Sequence, residues 1–202
     1  NPEYYTQYKN QNKSVIVYNW GEYISDGSDD MLDVNKAFTE LTGIKVLYLT
    51  FSTNEELYAK LKSGNAGYDV IIPSNYMVGK MIEEDMLLPL DFEKLPNYNH
   101  IEDQFKTSMY DTEGKYSVPY TWGITGIIYN TALIDDGDVI DSWNVLWDED
   151  YLGEILMFSN SRDAFGVAEK KMGYSLNTED KNELRNSLEA LKEQKPLVQA
   201  YV

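Results

Sequence analysis

Two short segments carry side chains suited to holding a cation. Tyr18-Asn19-Trp20-Gly21-Glu22-Tyr23 ends one apolar run, and Tyr68-Asp69-Val70-Ile71-Ile72-Pro73-Ser74-Asn75-Tyr76 ends another. Each puts aromatic rings beside acidic or hydroxyl groups where a buried strand gives way to a loop. In open α/β sheets ligands collect outside the carboxyl ends of the strands. A carboxylate among ring faces at such an edge suits a cation with an apolar stem, which is the chemistry of a polyamine.

Each of these residues also has a plainer use. Trp20 and Tyr23 could be half-buried aromatics that keep a polar tip wet. Glu22 could be a solvated loop acid. Ser74 could cap the helix that follows, since Pro73-Ser74-Asn75 is a helix-start pattern. Farther along, Ser159-Asn160-Ser161-Arg162-Asp163 reads equally well as a capped helix start, with Asn160 as cap and Asp163 in the first turn, or as ligand groups.

Elements that would position these groups alternate along the chain. Residues 14–19 form a β-branched-rich strand. Ser28-Asp29-Asp30 then opens a helix with Met31, Val34, Phe38 and Leu41 on one face, stopped by Thr42-Gly43. Residues 44–51 make a second strand, and Thr53-Asn54-Glu55-Glu56 is a capping-box pattern before Leu57, Tyr58 and Leu61. A third strand spans residues 68–72, and residues 75–86 read as a helix despite Gly79. Such alternation predicts a mostly parallel sheet with right-handed crossovers.

Residues 91–114 look like a surface connection with short helical pieces. Residues 118–130 form an extended stretch with Gly123 and Gly126, expected to be a crossover and hinge strand between two lobes. Past Asp135-Asp136-Gly137-Asp138 come a short helix at 142–147, a strand at 154–158, helices at 163–172 and through Leu184, Leu188 and Leu191, and a last extended run at 198–202. Four parts are therefore expected: a tether or leader remnant at 1–13, a first α/β lobe at 14–117, the crossover at 118–130 and a partial second lobe at 131–202.

Composition removes several function classes. The 202 residues hold 34 acidic against 17 basic side chains, a net charge of −17, which disfavours nucleic acid and anionic membranes as partners. There is no cysteine and one histidine, His100, so thiolate chemistry, zinc-hydrolase clusters and Ser-His systems lack material. No glycine-rich phosphate loop follows a strand, and no cofactor or metal site is expected. No apolar window reaches the length of a membrane span, and residues 1–13 lack the apolar centre of a signal peptide.

Tyr-Asn-Trp-Gly-Glu-Tyr, Leu-Tyr-Ala-Lys-Leu, Tyr-Asp-Val-Ile-Ile-Pro-Ser, Val-Pro-Tyr-Thr-Trp-Gly, Ser-Trp-x-x-Leu-Trp and Lys-Met-Gly-Tyr-Ser occur here in the order seen in spermidine/putrescine-binding proteins of bacterial ABC importers. The chain resembles that family from about Lys13 onward. The resemblance implies a two-lobed, periplasmic-binding-protein-like fold of type II that traps a polyamine in its cleft and delivers it to the importer's membrane permease subunits. It implies an extracytoplasmic receptor, anchored by a segment not in this chain, and not an enzyme.

Because family members are substantially longer, the second lobe is expected to be incomplete. That would expose strand edge and apolar surface that another copy could cover. The resemblance further implies that Trp20, Glu22, Tyr23, Ser74 and Tyr76 line the first-lobe side, with Asn160 and Asp163 from the second. Where the family commonly has two acids, this sequence has Asn160 and the shorter acid Asp163, which bears on the choice between spermidine and putrescine.

Rival readings keep the fold but change the ligand to a sugar, ferric iron or another cation, or use paired carboxylates as a glycoside hydrolase. A cation–π contact contributes about 0.5–2 kcal/mol and a hydrogen bond to a charged group about 1.5–3 kcal/mol. A micromolar complex needs about 8 kcal/mol net of ordering costs. Five first-lobe groups alone should fall short of that.

Overall fold

β1 (Ser14–Trp20) is the spine of a three-stranded parallel sheet, preceded by a short helix, α1 (Pro2–Thr6). After a loop come α2 (Val34–Thr42), β2 (Lys45–Phe51), α3 (Asn54–Lys62), β3 (Val70–Ile71) and α4 (Asn75–Glu83). Strand order is β2-β1-β3, with Trp20 paired to Phe51 and Tyr18 to Ile71. Residues 2–64, 67–134 and 137–202 are described in this computed structural model. The chain divides into two units, Asn1–Gly123 and Ile124–Val202.

The core of the first unit gathers under α3 and α4: Tyr18, Phe51, Leu57, Met77 and Met81 are buried together. Tyr18 stacks on Tyr68 at 4.3 Å and meets Phe51 edge-on at 5.0 Å. Gly79 belongs to this packing, because a Cβ there would stand 3.1 Å from the Tyr110 ring.

Several element ends differ from the sequence expectation, each for a local reason. Ser28-Asp29-Asp30 makes only a single 3-10 turn, since Asp29 and Asp30 sit at φ 50° and 60°, a left-handed conformation that cannot propagate an α-helix. The cap of α2 is instead Asp33, whose carboxylate accepts from the Lys36 amide at 2.9 Å, and Met31 is left outside, 64% exposed. Thr53 caps α3 as expected, accepting from Glu56 N at 3.1 Å, while the Glu56 carboxylate reaches back to the Ser52 amide. β3 is two residues long because the Asp69 carboxylate takes the Ile16 amide at 2.8 Å in place of a ladder bond.

Residues 118–130, expected as a crossover strand, form none. An extended segment becomes a strand only when a neighbour takes its amides and carbonyls, and no described segment pairs with this one. Ile124 and Ile128 are 86% and 97% exposed. The N-terminal segment, expected as a tether or leader remnant, makes contacts with the rest of the first unit. Tyr4 donates to the Lys94 carbonyl at 2.7 Å and Tyr5 to Asn97 Oδ1 at 3.2 Å. Gly43, at φ 77°, lets Lys9 approach so closely that a Cβ would lie 2.7 Å from its Cα.

Between 91 and 114 the chain is irregular, with 3-10 turns at Phe92–Lys94 and Pro96–His100 and a one-turn helix, α5 (Asp103–Lys106). In the second unit, β4 (Ile155–Met157) pairs in parallel with β5 (Val198–Tyr201), and α6 (Ser161–Met172) packs on α7 (Lys181–Gln194). Ile155, Met157, Val167, Ala168, Ala190 and Leu197 are its buried apolar residues. A 3-10 turn at Trp143–Trp147 is locked to α7 by the Trp147 indole donating to the Ala190 carbonyl at 2.7 Å and by Gln194 Nε2 donating to the Leu146 carbonyl at 2.9 Å. Asp135 and Asp136, where the second unit was expected to begin, lie outside the described residues.

Candidate ligand-binding site

Trp20, the last residue of β1, is fixed from three sides. Its amide donates to the Asn19 side chain at 2.8 Å, its carbonyl accepts from the Tyr48 hydroxyl at 3.3 Å, and its ring packs on Phe51 at 4.6 Å. Burial pushes the Tyr48 phenol above its ordinary value, so it stays a neutral donor. A series of rings extends outward: Tyr23 lies 6.0 Å from Trp20, and Tyr120 lies 6.4 Å from Tyr23 while donating its hydroxyl to the Tyr23 carbonyl. Tyr23 and Tyr120 are about half exposed. Glu22, in the same loop, is exposed, and its carboxylate has neither hydrogen bond nor ion pair among the described residues.

Past β3, Ser74 and Tyr76 are drawn together by Asn54 at the start of α3. Asn54 Nδ2 donates to Ser74 Oγ at 3.0 Å and to the Tyr76 hydroxyl at 2.9 Å, and Asn54 Oδ1 accepts the Ser74 amide at 2.9 Å. The Tyr76 hydroxyl also lies 3.4 Å from Glu55 Oε1. Ser74 occupies the N-cap position of α4, yet its hydroxyl caps nothing and is engaged with Asn54 instead.

These residues sit where they do because three parallel strands end side by side. β1 leads into Trp20, Glu22 and Tyr23, β2 into Asn54 and Glu55, and β3 into Ser74 and Tyr76. The structure thus makes two groups, the ring loop of Trp20 to Tyr23 and the Asn54-bridged hydroxyl pair, on one sheet edge of the first unit. In the second unit Asn160 caps α6, accepting from the Asp163 amide at 2.9 Å and donating to the Asp163 carboxylate at 2.7 Å.

Sequence reasoning missed Asn54, Glu55, Tyr48 and Tyr120. Asn54 was visible only as part of a capping box. Its position immediately after the carboxyl end of β2 is the signal that could have found it. Trp122, beside Tyr120, is 67% exposed and stacks on Phe105 at 5.9 Å.

Residues 34–201, from the first residue of α2 to the last of β5, match the family described as bacterial extracellular solute-binding protein. The chain belongs to that family. Among its relatives, the spermidine/putrescine-binding periplasmic protein of Salmonella typhimurium is 39% identical over 191 residues, covering 94% of this chain and 53% of the relative. The solved spermidine/putrescine ABC transporter substrate-binding protein PotD of Streptococcus pneumoniae is 37% identical with a TM-score of 0.70, over 95% of this chain and 57% of that one. The Tp0655 (TpPotD) lipoprotein of Treponema pallidum is 27% identical with a TM-score of 0.82, over 94% of this chain and 57% of its own.

The α/β fold of the two-lobed periplasmic-binding-protein type expected from the sequence is therefore the fold of this family member. The chain spans about half the length of the relatives it matches.

Proposed function

We propose that the protein is an extracytoplasmic receptor that captures spermidine or putrescine and delivers it to the membrane permease subunits of an ABC importer. The observation that carries this reading is Glu22, an exposed carboxylate with no counter-ion among the described residues, in the loop that joins Trp20 to Tyr23. A polyamine presents ammonium groups separated by methylenes. It needs carboxylates for the former and ring faces for the latter, and this loop holds both. The relative in Salmonella typhimurium bears the corresponding name at 39% identity over nearly the whole chain.

Ligand would be bound and released unchanged, so no bond-making step is assigned to any residue. Trp20, Glu22, Tyr23, Ser74 and Tyr76 are the candidate ligands of the first unit. Asn160 and Asp163 are candidates carried by the second, and their mutual cap holds the Asp163 carboxylate in a defined place. A net charge of −17 would favour encounter with a polycation at low salt.

Thermal unfolding in the presence of spermidine, putrescine, a neutral sugar or ferric citrate tests the reading. A ligand at about 100 times its Kd raises stability by about 2.7 kcal/mol, so one of the two polyamines should raise the melting temperature while sugar and iron leave it unchanged. Stabilisation by sugar or iron and not by either polyamine would replace this reading with another solute on the same fold.

A further inference from the structure

Glu22 makes neither hydrogen bond nor ion pair among the described residues, so the place of its carboxylate depends on the backbone that carries it. That backbone is a turn at residues 21 and 22, just past the last ladder pair of β1, Trp20 with Phe51. Gly21 adds freedom there, since a Cβ at that position would meet nothing within 4 Å and no neighbour restrains the chain on that side.

Two tyrosines from distant parts of the chain hold this turn from either side. The Tyr48 hydroxyl, on β2, donates to the Trp20 carbonyl at 3.3 Å, and the Tyr120 hydroxyl donates to the Tyr23 carbonyl. A backbone carbonyl can only accept, so in both bonds the phenol proton is committed to the loop. Trp20 is also held through its amide by the Asn19 side chain at 2.8 Å, and Tyr23 has its ring 6.4 Å from that of Tyr120. Each end of the loop is thus fixed at two points, with Gly21 and Glu22 strung between them.

We propose that Tyr48 and Tyr120 are positioning residues of the ligand site: their hydroxyls fix the carbonyls before and after Glu22 and so set where its carboxylate meets an ammonium group. The role rests on the polyamine reading above. Neither hydroxyl touches the ligand in this scheme. A loose loop would have to be ordered by each ligand that arrived, and that cost would lower the affinity. Two hydrogen bonds already made in the empty protein remove it beforehand.

Tyr48→Phe and Tyr120→Phe each remove one oxygen and keep the ring. Without ligand, the carbonyl carbon chemical shift of Trp20 should move in the first variant and that of Tyr23 in the second. The heteronuclear NOE of the Glu22 amide should fall in the double variant as the loop gains ps–ns motion. Spermidine calorimetry is run on this chain and on one extended to the length of its relatives. The double variant should bind about tenfold more weakly, as the loss of one to two hydrogen bonds implies. In a Glu22→Ala background the same pair should change affinity less than twofold, because the group they place is gone, whereas a loss caused by a disturbed fold would persist there. Tyr120→Phe alone, at a half-exposed residue, carries the test if Tyr48→Phe folds poorly, and should weaken binding about threefold.

Parent-like affinity of the double variant, an undiminished loss in the Glu22→Ala background, or unmoved carbonyl shifts would overturn the proposal. No heat of spermidine binding from either parent chain would overturn the polyamine reading, while the ligand-free spectra would still decide whether the two tyrosines hold the loop.

Discussion

Glu22 and Trp20 make different demands on the protein that carries them. Glu22 makes neither hydrogen bond nor ion pair among the described residues, so the fold gains no contact from its charge. Glu22→Gln should weaken spermidine binding by about 10-fold or more, the loss of one hydrogen bond to a charged group, and leave the melting temperature of the ligand-free protein unchanged. Trp20 packs on Phe51 and holds the Tyr48 hydroxyl through its carbonyl. Trp20→Ala should therefore lower the melting temperature as well as the affinity, stability falling by about 2–4 kcal/mol in chemical denaturation. The contrast between these two variants shows why part of the site was legible in the sequence. Trp20, Glu22 and Tyr23 are contiguous, and their types alone state a chemistry. Asn54 works on partners 20 and 22 residues away, and nothing local distinguishes it from an ordinary helix start.

Among the elements, caps and breakers acted over three or four residues, and these the sequence showed well. Thr53, Asn160 and Gly43 end or begin their helices as their types require. The start of α2 was misread because Ser28 and Asp33 are both acceptable caps, and the choice rested on left-handed backbone at Asp29 and Asp30 that residue types do not specify. Two buried carboxylates give the elements opposite responses to pH. Burial raises the Asp111 carboxyl, but the amides of Tyr116, Lys115 and Ser117 and the Ser117 hydroxyl overcome it and hold the group below its ordinary value. A depressed carboxyl stabilises the fold above the unfolded value of about 3.9, and that contribution is lost as pH falls through the folded value. Asp111→Asn should cost about 1–3 kcal/mol at pH 7 in denaturant titration, and the cost should shrink in strong acid.

Glu169, on α6, is 4% exposed. Burial raises its pKa, with Arg162 opposing and Glu183 reinforcing the shift. Here the sign reverses: the contribution is full below the unfolded value of about 4.3 and is lost as pH rises through the folded one. Glu169→Gln, which never ionises, should be more stable than the parent at pH 7 and lose that advantage near pH 4. An unchanged difference between the two pH values would mean that Glu169 is as well solvated as a surface acid.

On the scale of the whole chain, the two α/β units arise from one strand-helix alternation, and the family match runs through both. Residues 118–130 show where reading by pattern stops: Val, Tyr, Trp and Ile in a row favour extension, but a strand exists only with a neighbour, and neighbours are a property of the fold. Charge belongs to this scale too. With a net −17, spermidine should associate faster at low salt than at 0.15 M, where fields beyond about 8 Å are screened, while close contacts at Glu22 persist. If the protein is a polyamine receptor, its first unit supplies a ring-and-carboxylate loop to the ligand. Calorimetry of spermidine and putrescine, at low and at 0.15 M salt, on this chain and on one extended to the length of its relatives, tests that reading most directly. Salt-resistant binding of a polyamine by the extended chain, weaker in this one, is the expected result; heat of binding for neither polyamine in either chain would contradict it.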